Sequence, residues 1–129
     1  MSKGLITYEK PRELLTDNEK AGIDGLAANG ISLTVTAEDP VAAANIDLEI
    51  NGEPWELKNV TNVSSSVGNQ LRRVRRKWWK LNLDKPLRAV FTTEDATDTF
   101  DEIASALKER KRVDERFIVL SNENELLSL

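Results

Sequence analysis

The sequence predicts a mixed α/β (α+β) domain with a central mixed sheet flanked by helices. Three observations carry this. Apolar and polar residues alternate over Ile31–Thr36 and on both sides of Asn51-Gly52. Apolar residues recur at helical spacing over Ser64–Leu81. The order is helix, three strands, helix, strand, helix, strand pair, without repeats or low-complexity tracts. At 129 residues the chain has one domain's length and can bury one core. Residues 1–15 are expected to be an N-terminal linker or peripheral segment, and 16–129 a single domain.

The elements follow in order. Thr16-Asp17-Asn18-Glu19 has the spacing of a capping box, which predicts a helix over Asp17–Ala28 with Ile23, Leu26 and Ala27 buried. Gly22 and Gly25 weaken that helix by roughly 1 kcal/mol each against alanine. Asn29-Gly30 is a helix stop. Ile31–Thr36 reads as a strand, and Glu38–Asn45, with Pro40 and an alanine run, as a loop. Asn51-Gly52 joins Ile46–Ile50 to Trp55–Val60 as a two-residue hairpin. Val67, Leu71, Val74 and Trp78 form the buried stripe of the long helix. Leu87–Thr92 is a strand, and Thr97–Arg110 a helix burying Phe100, Ile103, Ala104 and Leu107. Phe117–Leu120 is a buried strand, and Leu126–Leu129 a short edge strand. Ile46, Leu48, Trp55, Leu57, Phe91, Ile118 and Leu120 are expected in the core.

Composition excludes several chemistries. With no cysteine there is no disulfide framework, thiol nucleophile or zinc-thiolate site. With no histidine there is no Ser-His triad and no imidazole base or ligand. A metal must be held by oxygen, which favours magnesium or manganese. No stretch has the roughly 18 apolar residues of a membrane span, and MSKGLITYEK lacks a signal peptide's apolar core. The chain is expected to be soluble. Net charge is −4, yet Lys58–Leu83 holds seven basic residues and no acidic one. The rest carries 11 basic against 22 acidic residues, a net −11.

The hairpin is the chemically informative segment. A two-residue loop sets Ile50 opposite Glu53, Leu48 opposite Trp55, and Asp47 opposite Glu56. Ile46, Leu48, Ile50, Trp55 and Leu57 then share an apolar face, and Asp47, Glu49, Glu56 and Lys58 the other. Two opposed carboxylates repel, so they call for compensation by a divalent cation or by Lys58. A solvated charged strand pair is the plain alternative. Against it stand the paired acids, the basic helix that follows, and Glu19 on the first helix.

Asp47, then Glu56-Leu57-Lys58, with Glu19 on a preceding helix, resembles the PD-(D/E)xK nuclease superfamily. The order helix, three strands, helix, strand is similar to that superfamily's restriction-endonuclease-like core. The likeness is greatest to the C-terminal toxin domains of contact-dependent growth inhibition (CdiA-type) proteins, several of which act on transfer RNA. It is carried by Asn18-Glu19, by Asp47–Lys58 around the Asn-Gly turn, and by the serine run and basic helix, and it covers Thr16 to the C-terminus. Ile46 stands where the eponymous proline would be. The resemblance implies a metal-dependent nuclease with Glu19, Asp47, Glu56 and Lys58 catalytic. Asp47, Glu56, the Leu57 carbonyl and Glu19 would hold Mg2+ or another divalent cation such as Mn2+. Lys58 would orient water or neutralise charge on the phosphate. It also implies a dedicated immunity protein, and a module of a secreted or cell-surface toxin acting in the target-cell cytoplasm.

The long helix carries Arg72, Arg73, Arg75, Arg76, Lys77 and Lys80 without an interleaved acid, which points to phosphate contact. Ser65 and Asn69 lie near its start, Asn69 and Arg72 on one face. Trp78 is expected in the core and Trp79 partly buried. Three functions compete: a nuclease acting on tRNA or other RNA, a DNase of the same fold, and a non-catalytic nucleic-acid-binding domain in which Asp47, Glu56 and Lys58 are a structural cluster.

Overall fold

In a computed structural model, residues 2–61, 63–94, 96 and 98–129 are described, with the backbone alone for 63–66. Among them the strands are β1 (Ile6–Tyr8), β2 (Leu33–Val35), β3 (Leu48–Ile50), β4 (Glu53–Asn59), β5 (Arg88–Thr92), β6 (Arg116–Leu120) and β7 (Leu126–Ser128). The helices are α1 (Asp17–Ala28), α2 (Val63–Leu81) and α3 (Phe100–Arg110), with a 3-10 turn at Arg12–Leu14. The strands form one mixed sheet in sequence order. Pairs β1/β2, β4/β5 and β5/β6 are parallel, and β2/β3, β3/β4 and β6/β7 antiparallel. Each parallel pair is joined through a helix, because a parallel return needs a crossover.

The predicted order is thus preceded by a strand that the sequence did not announce. Ile6–Tyr8 lacks a long alternating run and reaches the sheet by pairing with Leu33–Val35. Leu15 enters the core, and Arg12 pairs with Asp24 of α1 at 2.7 Å. The first helix has the predicted bounds and a complete capping box at Thr16 and Glu19. The third helix starts at Phe100 rather than near Thr97, because the Thr99 side chain accepts the Glu102 N–H and caps it there. Position 97 itself lies outside the described residues.

Two cores sandwich the sheet. On one face α2 and α3 pack Val67, Leu71, Val74, Trp78, Ile103 and Leu107 over Ala89, Phe91, Phe117 and Val119. Phe91 and Phe117 meet edge to face, with ring centroids 5.2 Å apart. On the other, α1 packs Ile23 and Leu26 over Leu48, Ile50, Val90, Ile118 and Leu120. The α1 glycines sit where helix and sheet approach most closely. A Cβ at Gly22 would lie 2.9 Å from Thr92 Cγ2, and one at Gly25 2.7 Å from Leu120 Cδ2. What looked like helix weakness is the clearance for this packing. Ile46, Trp55, Leu57 and Phe100, expected in the core, are half-buried. Trp55 and Leu57 lie on the face that a single helix covers, Ile46 precedes β3 beside a cleft, and Phe100 opens α3. No helix among the described residues is long and apolar enough to cross a membrane.

Candidate active site

The hairpin turn places the first two groups. Asn51 and Gly52 have φ of 53° and 76°, the paired left-handed conformation of a tight hairpin loop. The ladder pairs Ile50 with Glu53 and Leu48 with Trp55, as the sequence predicts. The next rung sets Asp47 beside Glu56, and Asp47 Oδ2 accepts the Leu57 N–H at 2.9 Å. The two acids differ sharply in environment. The Asp47 side chain is 27 % exposed and that of Glu56 only 3 %. The face carrying Glu56 is roofed by α2, so it is no solvated surface.

A third group comes from that roof. Lys77 Nζ lies 2.7 Å from Glu56 Oε2 and 3.2 Å from Asp47 Oδ1, bridging the carboxylates. Glu56 Oε1 is buried without a hydrogen-bond partner among the described residues. Burial first, and the Asp47 charge second, push the Glu56 carboxyl up to about 7 against the pull of Lys77. Burial lowers the Lys77 ammonium, but the Asp47 and Glu56 charges outweigh it and hold it above its ordinary value.

The sequence offers a divalent cation or Lys58 to compensate the pair; of the two lysines, the structure places Lys77 rather than Lys58 on the carboxylates. Lys58 lies two residues beyond Glu56 on the same strand face, about 6.6 Å along the chain. It is half-buried and forms no ion pair among the described residues. A strand side chain stands normal to the sheet, whereas Lys77 descends from the helix directly onto the pair. The signal available in the sequence was its place on α2. Lys77 flanks the buried stripe, beside Val74 and Trp78, while Arg73, Arg76 and Lys80 point away from it.

Glu19 stands across a cleft of about 240 Å³ lined also by Lys10, Thr36, Glu38, Asp47 and Lys77. Its Oε1 accepts the Thr16 N–H at 2.9 Å, so the capping box holds the carboxylate at the cleft wall. Lys10 closes the cleft through a 2.6 Å ion pair with Glu38. No three acidic side chains among the described residues come close enough together to form a ready metal cage. The structure therefore assembles Asp47 and Glu56, and leaves Glu19 apart from them. Lys77 already bridges Asp47 Oδ1 and Glu56 Oε2, so the oxygen whose chemistry suits a hard divalent cation is Glu56 Oε1, buried and without a partner among the described residues.

The basic helix divides. Arg75 leaves the predicted phosphate-binding set. It donates from Nε and Nη2 to the buried Glu115 at 2.8 and 2.7 Å and from Nη2 to the Arg110 carbonyl, tying α2 to the end of α3 and to the turn that leads into β6. Burial raises the Glu115 carboxyl, but its bonds to Arg75 and the Arg112 N–H outweigh that and lower it. Lys77 is engaged as described. Arg72, Arg73, Arg76 and Lys80 are exposed, and Arg72 Nη1 donates to Asn69 Oδ1 at 3.3 Å. Arg73, Arg76 and Lys80 line, with Ala43, Ala44 and Lys77, a second groove, and Lys77 also borders the carboxylate cleft. The Ser65 side chain lies outside the described residues. Trp79 is 80 % exposed, against the expectation of partial burial.

No family model and no curated protein matches this chain. Among solved structures, a chain of the CdiA-CT/CdiI toxin and immunity complex from Burkholderia pseudomallei shares the fold, with a TM-score of 0.68. The two are 15 % identical, and the match covers 98 % of each.

Proposed function

We propose that this chain is a metal-dependent nuclease domain that hydrolyses phosphodiester bonds in RNA, tRNA foremost, and serves as a toxin neutralised by an immunity protein. The observation that carries the chemistry is the Asp47–Glu56 pair: adjacent, with Glu56 buried and Asp47 at the cleft, and bridged by Lys77, which also borders an exposed basic groove. Buried like charges are unfavourable and persist where a ligand or a reaction uses them. Asp47 and Glu56 would hold Mg2+ or Mn2+, with the Leu57 carbonyl and Glu19 as the further ligands the family resemblance suggests. A bound cation supplies Lewis-acid stabilisation of the phosphate and a lowered pKa for a coordinated water.

The chain's own groups do the rest. Arg73, Arg76 and Lys80 hold phosphates along the groove, and Lys77 meets the charge that develops at the scissile one. Sharing a fold with a chain of a toxin and immunity complex supports the toxin reading, in which this is the module a larger secreted or surface protein delivers to a target cell. The test is incubation with total RNA and with plasmid DNA, with and without EDTA. Cleavage of RNA that EDTA stops is the expected result. Cleavage of plasmid alone makes the domain a DNase. Binding without cleavage in magnesium or manganese makes Asp47, Glu56 and Lys77 a structural cluster.

A further inference from the structure

Trp79 is an apolar side chain left in water on a helix whose other exposed face is cationic. The helical period of 100° per residue orders the side chains around α2. Lys77 lies on the flank facing the carboxylates, followed by Arg73, Lys80, Arg76 and Arg72, with Trp79 beyond Arg72. The exposed cations thus form a band that runs around the helix from the carboxylate pair to the indole, roughly 15 Å over its surface. Trp79 also borders a recess of about 450 Å³ whose rim includes Asn82, Asp84, Lys85, Pro86 and Asp114.

The charge changes sign along this path. Phosphate is attracted along the band, whereas at the recess Asp84 and Asp114 outnumber Lys85 and leave it net acidic. An aromatic base has the opposite preference. Its face stacks on indole, and a carboxylate accepts its amino N–H groups. Bases inside a duplex are already stacked and cannot reach a side chain in this way.

Resting on the nuclease reading above, we propose that Trp79 is a base-stacking subsite that selects single-stranded or looped RNA, with the backbone crossing Arg72, Arg76 and Arg73 to reach Asp47 and Glu56. The base on Trp79 then lies a few nucleotides from the bond that is cut. Trp79 here positions the substrate and touches no reacting atom.

The test uses the intact chain in EDTA, with a labelled single-stranded RNA oligonucleotide and the same oligonucleotide annealed to its complement. Affinity for each is measured by anisotropy for the wild type, Trp79→Ala, Trp79→Phe and the double variant Arg73→Gln/Arg76→Gln. The expected result is tighter binding of the single strand. Trp79→Ala should lose about tenfold or more of it while binding duplex as before, and Trp79→Phe should retain most of it. Quenching of tryptophan fluorescence by the single strand should vanish in Trp79→Ala. If Trp79→Ala binds the single strand as the wild type does while the arginine variant is weakened, the stacking subsite is wrong and the nuclease reading stands. Trp79 is then better placed against a protein partner. If no variant changes binding of either RNA, the basic groove is not a nucleic-acid surface, and both readings fall.

Discussion

Glu56 is held up to about 7 in the folded protein against an ordinary value of 4.5. The folded state therefore binds this proton more tightly than the unfolded one. The stability that Glu56 contributes is full below about pH 4.5 and is lost as the pH rises through 7. Glu56→Gln has no such proton, so its stability relative to the wild type should rise between pH 5 and pH 8, read as paired thermal melts. Cleavage by the same variant should fall by at least about 10²-fold, since a ligand charge is gone. A melt gap that does not change with pH would mean the carboxyl is not strained as described. Lys77 has the opposite role. Lys77→Met strands two carboxylates, and should cost about 3 kcal/mol at pH 8 and less at pH 5, where Glu56 can take up a proton. Comparing it with Lys58→Met decides which lysine serves the chemistry. The geometry predicts that Lys77→Met is the less active of the two by about 10²-fold, with magnesium-dependent cleavage rates as the measure.

At the level of elements, α2 is a divided helix. Its inner flank clamps, through Arg75 on Glu115 and Lys77 on the carboxylate pair, and its outer face is left cationic. Neutralising Arg73 and Arg76 should leave the melting temperature unchanged and lower the slope of log affinity against log salt by about one per lost phosphate contact. An unchanged slope would show a merely solvated face. Helix α1 makes the reverse case, in which local propensity misleads. Gly25→Ala improves intrinsic helix propensity by about 1 kcal/mol, yet its methyl meets the buried Leu120 at 2.7 Å. Overpacking of that kind costs about 1–3 kcal/mol, so the variant should be destabilised in denaturant melts. A stabilised Gly25→Ala would mean that α1 sits less tightly on the sheet than described.

Across the whole molecule, β5 is the centre of gravity. Ala89, Val90 and Phe91 are fully buried between the two helical layers, and β4 and β6 flank them in parallel register. Backbone amides of β5 and β6 should exchange with solvent most slowly, near the global unfolding free energy. Those of β1 and β7, three residues each at the sheet margins, should exchange soonest. The candidate site lies where the hairpin and the roofing α2 meet, so its geometry depends on that stable centre although its groups come from chain segments 30 residues apart.

Much of this was legible in residues 16–129. A two-residue Asn-Gly turn carries its own register, so the opposition of Asp47 and Glu56 could be counted off without a structure. The Thr16–Glu19 box, the Val67–Leu71–Val74–Trp78 stripe and the concentration of cations in one segment are likewise properties of short windows. The edge strand Ile6–Tyr8 was not legible, because three residues without alternation become a strand only when β2 is there to pair with them. The bridging lysine was legible only as a candidate, from the place of Lys77 beside the buried stripe. A charge pattern states that six cations share a helix; it does not state which flank the crossover turns toward β4. That rotation buries Glu56, brings Lys77 onto it, turns Arg75 to Glu115 and leaves Trp79 in water. Periodicity is encoded along the chain, whereas the docking of one periodic face on another is decided by packing between segments, and the chemistry of this site belongs to the second.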